Sequence, residues 1–212
     1  AYADSALLNK YDVYQILMDY WAEVMQDDVY VLVQDGWSAG KTLRELVAQK
    51  GEKLKETPDL IINKTKYKAE LIPPALLVAR YFQAQQTRID HIQADLDAAS
   101  QELESYFEEH GSDDGLLSDA LNDKDKVTAA SVKARLKLAT DPDEKAALQQ
   151  AQKLFDAEFE AKKSLKEQQE ALDLAVFKHY ANLSEAEIKT LIVEDKWLAI
   201  LQANIQAEIE RV

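Results

Sequence analysis

The amino-acid sequence predicts a mainly α-helical protein, with a long antiparallel helical hairpin of the coiled-coil type on a helical base. A small β-sheet or hairpin is expected near the N-terminal part. Two observations predict the hairpin, because sustained helical periods run through residues 74–110 and again through residues 142–183. A third observation, the short β-branched and aromatic run at residues 29–33, predicts the β element.

These patterns also predict how the chain is divided. Residues 1–74 and 184–212 are expected to form the base, and residues 75–183 the arm. The arm is expected to have an exposed tip around residues 111–141, where two glycines and scattered aspartates interrupt the helical period.

The first long helix shows its seam as a heptad pattern. One line of core positions holds Ala75, Phe82, Ile89, Leu96 and Leu103, and the other holds Val78, Gln85, Ile92, Ala99 and Tyr106. Charged and amide residues fill the remaining positions, which is typical of a helix zipped to a partner along one narrow seam. At about 1.5 Å per residue this helix would be roughly 50 Å long, so we expect it to project.

The second long helix repeats the pattern, and an antiparallel hairpin is the natural arrangement of the two. Phe155, Val176 and Leu183 fall on one line, and Ala151, Leu165, Leu172 and His179 fall on the other. Polar Glu158, Lys162 and Gln169 interrupt the seam, so we expect close packing at the tip and base and looser packing between them. Two helices within an ordinary helical core remain the alternative, since heptads this imperfect do not exclude it.

The N-terminal part predicts a helix followed by a strand. Residues 8–26 place many aromatic and aliphatic side chains on one broad face of a helix. Asp27 and Asp28 are expected to end that helix and to be solvated. Residues 29–33 then predict a strand closed by the turn at Asp35 and Gly36, after which Trp37 is expected to cover the local core.

The next segment predicts a basic helix at residues 42–51 and a hairpin within residues 58–71, turning at Asn63 and Lys64. From Lys41 to Lys68 there are eight basic residues against four acidic ones, although the whole chain has a formal net charge of -14. We expect this segment to contact a DNA backbone if any part does, because phosphates need clustered cations. Its candidate contacts are Lys50, Lys53, Lys55, Lys64, Lys66 and Lys68. Ordinary solvated lysines are the alternative.

The C-terminal part predicts a further helix. A short basic helix is expected at residues 131–139, and Ser184 with Glu187 predicts a capping box ahead of the last helical segment. The apolar stripe of that segment is a candidate subunit interface, formed by Trp197, Leu201, Ile205 and Ile209. This stripe needs a partner, either the N-terminal aromatic helix or a segment beyond the sequence.

The composition narrows the classes of function. The sequence has no Cys, which excludes a disulfide framework and a thiolate metal site and is expected of a cytoplasmic protein. No apolar run is long enough to cross a bilayer, and no glycine loop of the phosphate-binding type occurs. The three His residues are expected to lie far apart, so we assign no catalytic, cofactor-binding or metal-binding residue. Because the chain has no initiating Met and stops inside a helical pattern, we expect it to be part of a longer protein.

Three stretches carry a resemblance to a known family. They are YDVYQILMDYWAEVMQDDVYVLVQDGW at residues 11–37, AELIPPALLVARYFQAQQ at residues 69–86, and EIKTLIVEDKWLAILQANIQAEIERV at residues 187–212. Together they resemble the modification subunit of type I restriction-modification systems, in the region that follows its methyltransferase domain.

The resemblance implies a parent that is an S-adenosylmethionine-dependent N6-adenine DNA methyltransferase. It implies a specificity subunit and a restriction subunit as partners, and DNA reached through the assembled complex. The family's catalytic motif is missing, because Ile72-Pro73-Pro74-Ala75 has the two prolines without the polar and aromatic residues that hold a flipped adenine. We therefore expect this fragment to bind no cofactor and to be non-catalytic itself. A self-associating coiled-coil scaffold unrelated to DNA modification is the alternative.

Overall fold

The computed structural model describes residues 10–47, 55–111, 115–122 and 126–211. The protein is mainly α-helical with one three-stranded antiparallel sheet, which confirms the predicted fold class. The chain divides into two compact units, residues 1–83 with 171–212 and residues 84–170. None of the helices in the described part of the chain has the length and apolar character needed to cross a membrane.

A continuous helical rod opens the first unit. It consists of α1 (Lys10–Tyr20), a π-helical stretch (Trp21–Met25) and α2 (Gln26–Asp35). The rod ends at Gly36, whose φ of 72° suits a residue without Cβ. The prediction of a strand at residues 29–33 was wrong, as was the expectation that Asp27 and Asp28 end the helix. The β-branched residues stay helical because the rod continues the line from the buried Tyr20 through the half-buried Val24 to the buried Asp28, and tertiary packing overrides strand propensity.

The sheet takes its third strand from another segment. β1 (Leu43–Glu45), β2 (Leu60–Ile62) and β3 (Thr65–Ala69) pair in the order β1-β3-β2. The predicted hairpin is confirmed, since Asn63 and Lys64 connect β2 to β3 with φ values of 50° and 70°. The predicted basic helix at 42–51 was wrong for the residues that the structure describes, and 48–51 lie outside them. Strand β1 forms there because the free edge of β3 offers unpaired backbone groups.

The long helix expected from residue 74 to residue 110 is two helices. α3 (Pro74–Tyr81) is separated from α4 (Gln83–His110) by Phe82, which has φ -126° and ψ 22°. The rings of Tyr81 and Phe82 both contact the ring of His179, with centroid distances of 4.5 and 5.5 Å. Successive side chains of an unbroken α-helix point about 100° apart, so the break lets both rings reach one partner.

The first heptad of the predicted seam was also wrong. Ala75 is exposed, whereas Leu77 is fully buried and anchors α3 in the core of the first unit. The predicted line holds further along, because Ile89, Leu96 and Leu103 are the buried residues of α4.

The C-terminal part completes the first unit. After α6 (Pro142–Asn182) come α7 (Glu185–Lys189), a second π-helical stretch (Thr190–Leu198) and α8 (Ala199–Arg211). The predicted capping box is confirmed, since Ser184 Oγ accepts from the Glu187 amide and Glu187 Oε2 accepts from the Ser184 amide. The core of this unit is aliphatic with one tyrosine: Leu71, Ile72, Leu77, Tyr180, Leu183, Ile188, Leu191 and Ile192.

The second unit is built on an antiparallel pair formed by α4 and the first part of α6. Ser100 Oγ donates to Glu158 Oε1 at 2.9 Å, and the Tyr106 hydroxyl donates to the Ala147 carbonyl at 3.0 Å. Residue numbers therefore rise along one helix as they fall along the other. The predicted antiparallel hairpin is present in this unit.

The tip of the hairpin has a core of its own, which the sequence analysis did not predict. Leu117, at 0% exposure, lies in a buried cluster where an exposed loop or short helix was expected. α5 (Ala129–Leu136) closes the cluster and begins at a capping box between Thr128 and Ser131. Residues 112–114 and 123–125 lie outside the described part of the chain. The cluster is formed by Leu117, Ala120, Val132, Ala139, Ala147, Leu148 and Ala151.

Candidate functional site

The candidate DNA-contacting lysines that the structure describes lie on the outer face of the sheet, in its hairpin turn and ahead of β2. Tyr67, in the middle of β3, packs on Phe177 with ring centroids 4.9 Å apart. Because side chains alternate along a strand, Lys66 and Lys68 lie on the opposite face. Lys64 is exposed in the hairpin turn, and Lys55 is exposed ahead of β2. Lys50 and Lys53 lie outside the described residues.

Acidic side chains neutralise part of this basic face. Lys68 Nζ lies 2.8 Å from Asp59 Oδ1. Arg44, which pairs with Lys68 across the sheet, contacts Glu56 at 2.6 Å and Glu70 at 2.5 Å. Lys64 and Lys66 form no ion pair within the described part of the chain. These two lysines therefore remain the stronger candidates for contact with a phosphate backbone.

The candidate interface stripe on the last helix is turned toward the protein. Trp197, Leu201, Ile205 and Ile209 are all half-buried. α8 packs against α1 and runs antiparallel to it, because Tyr20 contacts the Lys196 carbonyl at one end and Arg211 lies near Asp12 at the other. Of the two partners considered for this stripe, the N-terminal aromatic helix is the one observed.

A buried ion pair joins the two helical segments that contain π stretches. Lys196 Nζ lies 2.7 Å from Asp28 Oδ2, and the two residues are only 8% and 5% exposed. The Lys196 ammonium also donates to the Leu71 carbonyl at 2.8 Å, and Trp197 Nε1 donates to Asp28 Oδ2 at 2.8 Å. The expectation that Asp28 is solvated was therefore wrong.

The sequence contains a signal for this pair in the spacing of its two charged residues. Lys196 follows the buried Ile188 and Ile192 at steps of four residues, so it interrupts an apolar stripe at a core position. Asp28 follows Tyr20 and Val24 at the same spacing. A cation and an anion in two separate apolar stripes predict a buried partnership, since an isolated buried charge is very costly.

The pair is suited to fixing structure rather than to moving protons. The Lys196 ammonium is held by a carboxylate and a carbonyl, and both carboxylate oxygens of Asp28 accept hydrogen bonds. Burial, together with the charges of Asp28 and Glu23, raises the pKa of Tyr20, so its phenol stays protonated beside the pair. Such a satisfied buried pair specifies which surfaces meet and at which register.

The hairpin of the second unit contains an open groove between the start of α4 and residues 162–170 of α6, at the end opposite the tip. Its volume is about 490 Å³, and its apolar lining consists of Ile89 and Leu165. The remaining lining residues are polar or charged: Gln86, Asp90, Gln93, Lys162, Lys166, Gln169 and Glu170. The groove agrees with the looser packing that the polar residues of α6 predict.

The Pro73-Pro74 segment lies at the start of α3. The preceding Ile72 is fully buried, and its carbonyl accepts from the Tyr180 hydroxyl at 2.5 Å. Pro74 begins α3, so the segment starts a helix rather than lining a pocket.

The three histidines have different surroundings. His91 is exposed on α4, His110 ends that helix, and His179 lies against the rings of Tyr81 and Phe82. Within the residues that the structure describes, no group of three His, Asp or Glu side chains is arranged to hold a metal ion.

Comparisons of this chain with models of protein families, with curated protein sequences and with solved structures each found no match.

Proposed function

We propose that the chain is the non-catalytic C-terminal assembly and DNA-positioning region of a type I restriction-modification methyltransferase subunit, acting in the cytoplasm. The parent would be an S-adenosylmethionine-dependent N6-adenine enzyme whose complex includes a specificity subunit and a restriction subunit. The observation that carries the proposal is the incomplete burial of the hairpin helices. From residue 155 to residue 171, α6 has no buried residue.

This hairpin suits a role as a docking platform. A two-helix pair covers one stripe of each helix, whereas further helices are needed to bury the rest. The groove between Ile89 and Leu165 lies within this stretch, and Phe159 extends the same face of α6 with its side chain 63% exposed. The family resemblance implies a specificity subunit as a partner, and helices of that subunit would fit such a surface.

The hairpin turn and the outer face of β3 support the positioning role. Lys64 and Lys66 present charges that contact phosphates without reading bases, so they would add affinity to the assembled complex and leave its sequence choice intact. The acid-paired Lys68 and Arg44 limit this contribution to a small number of contacts.

The proposal is tested first on the gene and then on the complex. The coding sequence upstream of Ala1 should encode an adenine methyltransferase domain. The complete modification subunit should then bind the specificity subunit encoded beside it, as measured by isothermal titration calorimetry. Phe159→Glu should weaken that binding at least about tenfold, because a charge would enter an apolar contact.

The matched control is Leu138→Glu, at a 72% exposed side chain near the tip of the same unit. It should leave the affinity unchanged, and both variants should keep the thermal midpoint. Unchanged affinity for Phe159→Glu would remove this face of α6 from the interface. The coiled-coil scaffold would be favoured instead if the chain forms stable dimers alone in sedimentation experiments and does not bind the specificity subunit.

A further inference from the structure

The helical rod of residues 10–35 carries large apolar side chains on its outer face as well as on its inner face. Its inner face is marked by Tyr20 and Asp28, which are both buried. Tyr14, Met18 and Trp21 follow one another at steps of four and three residues, so they share a face, and all three are exposed.

The outer apolar face continues beyond the π stretch. Tyr30 and Val33 are separated by three residues and are 70% and 82% exposed. From Tyr14 to Val33 the face is roughly 30 Å long at the helical rise per residue. We call the set Tyr14, Met18, Trp21, Tyr30 and Val33 the aromatic stripe. Five large apolar side chains exposed along one rod are more than the scattered single residues of an ordinary surface, so we take them as an interaction site.

An acidic row borders the aromatic stripe. Asp19, Glu23 and Asp27 follow at steps of four residues and are all exposed. The sequence between Tyr11 and Gly40 contains no Lys and no Arg. The stripe therefore lies in a negatively charged surface, which favours a positively charged partner.

Charge decides between the possible occupants. Nucleic acids and anionic membranes are disfavoured, because both need basic side chains near the contact. A second copy of the chain is disfavoured too, since it would bring its own acidic row and a formal net charge of -14. A protein segment with positive charge needs no basic side chains on this surface and is not repelled by its acidic row.

We propose that the aromatic stripe docks an amphipathic helix of a partner protein, whose apolar face is bordered by Lys or Arg side chains. The apolar face covers the stripe, while the cations meet Asp19, Glu23 and Asp27. This surface belongs to the first unit and the hairpin groove to the second, so the two proposals can fail independently.

The test titrates the purified chain into fluorescently labelled peptides and follows their anisotropy. The probe is a synthetic helical peptide of about 20 residues with Leu at core positions and Lys and Arg elsewhere. It should bind with a dissociation constant of roughly 10 μM, and binding should weaken as salt is raised. The same peptide with Glu in place of every cation should not bind.

Two sets of variants locate the contact. Tyr14→Ser with Trp21→Ser should lower the affinity at least about tenfold. Asp19→Asn with Glu23→Gln and Asp27→Asn should lower it less and flatten the salt dependence. Leu198→Ser, at an exposed apolar side chain on the second π stretch, is the matched control and should leave binding unchanged. Circular dichroism should show the same helicity for all of these variants.

Three outcomes would overturn the proposal. Equal binding of the basic and acidic peptides would mean that charge plays no part. Binding to phosphatidylcholine vesicles without binding to the basic peptide would assign the stripe to lipid. Loss of peptide binding in the complete subunit, with binding kept by the 212-residue chain, would show that the subunit itself covers the stripe.

Discussion

Lys196 Nζ and Asp28 Oδ2 lie 2.7 Å apart in the core of the first unit, although the two residues are 168 positions apart in the sequence. Each belongs to a helical segment with a π stretch, Trp21–Met25 in one case and Thr190–Leu198 in the other. The pair therefore fixes the N-terminal rod against the C-terminal helices.

The π stretches help to explain this alignment. In an α-helix, eight residues overshoot two turns by about 80°, so Tyr20, Val24 and Asp28 would drift apart around the helix. A π turn holds more residues and reduces that drift, which keeps Asp28 on the inner face with Tyr20. Lys196 lies within its own π stretch, where it continues the buried line of Ile188 and Ile192.

Removing one member of the pair should be costly. Lys196→Met leaves Asp28 buried without its counterion, so we expect the free energy of unfolding to fall by about 3–5 kcal/mol. Urea denaturation followed by circular dichroism measures this. Lys163→Met is the matched control, because Lys163 makes a 3.8 Å surface pair with Glu160 and should cost less than about 0.5 kcal/mol.

Replacing both members separates the cost of an orphaned charge from the value of the pair. Asp28→Leu combined with Lys196→Met removes both charges, so most of the stability lost in the single variant should return. A double variant as unstable as Lys196→Met would show that the loss comes from the hydrogen bonds to Leu71 and Trp197 instead.

Tyr180 should make stability depend on alkaline pH. Burial, and secondarily the charge of Asp59, raises the pKa of Tyr180 above the ordinary value of 10.0. As the pH rises, the Tyr180 hydroxyl therefore loses its proton in the unfolded chain before it does so in the folded chain. Its contribution to the free energy of unfolding is constant below about pH 10 and is lost as the pH rises further. Denaturation midpoints between pH 8 and pH 11 should show that fall.

The variant Tyr180→Phe isolates this effect. It removes the hydroxyl that donates to the Ile72 carbonyl, which should cost about 0.5–1.5 kcal/mol at neutral pH. The stability of this variant should fall less steeply with rising pH than the stability of the unmodified chain. Tyr30→Phe, at an exposed side chain, should change neither quantity. Parallel pH profiles for Tyr180→Phe and the unmodified chain would assign the alkaline loss to other groups.

The features predicted correctly from the sequence are those set by neighbouring residues. The turn at Asn63 and Lys64 and the capping box at Ser184 depend on a few adjacent side chains and formed as expected. The β-branched run at residues 29–33 also carries a strong local preference, but it lies in α2 because the inner face of the rod is already helical and buried. The strand propensity of this short run stabilises the chain less than the helix packing that a strand here would remove.

The buried ion pair is indicated only when two helical stripes 168 positions apart are compared, and neither stripe predicts it alone. Asp28 stands beside Asp27 in a polar-looking segment, and only the distant Lys196 explains why one of them is buried. The tip was missed for a similar reason. Leu117 and Ala120 lie in a glycine- and aspartate-rich stretch, yet they pack with Val132 and Leu148 from later helices.

Truncating a buried side chain in the hairpin seam should lower stability as much as it does in an ordinary protein core. Leu96 is buried on α4, so Leu96→Ala should lower the free energy of unfolding by about 2–4 kcal/mol through lost burial and the cavity left behind. Leu138→Ala is the matched control, because that side chain is exposed, and it should cost less than about 0.5 kcal/mol. Equal losses for the two variants would show that the seam is not closed at Leu96.

The last prediction concerns DNA contact by the sheet. In the methyltransferase complex that we propose, Lys64→Glu with Lys66→Glu should weaken binding similarly for cognate and unrelated duplexes, because contacts to phosphates carry no sequence information. The plot of log affinity against log salt should become shallower by about two units, one for each lost contact. Lys68 is left unchanged in this test, since reversing its charge would also break the pair with Asp59 and disturb the sheet.

The control for this prediction must carry the same change in charge at residues of the other unit. Lys133→Glu with Lys137→Glu meets that need, because both side chains are exposed at the basic end of α5. This pair should leave affinity and salt slope unchanged, while electrophoresis confirms that both complexes remain assembled. If the two double variants weaken DNA binding equally, the loss reflects net charge, and Lys64 and Lys66 make no specific contact with the phosphate backbone.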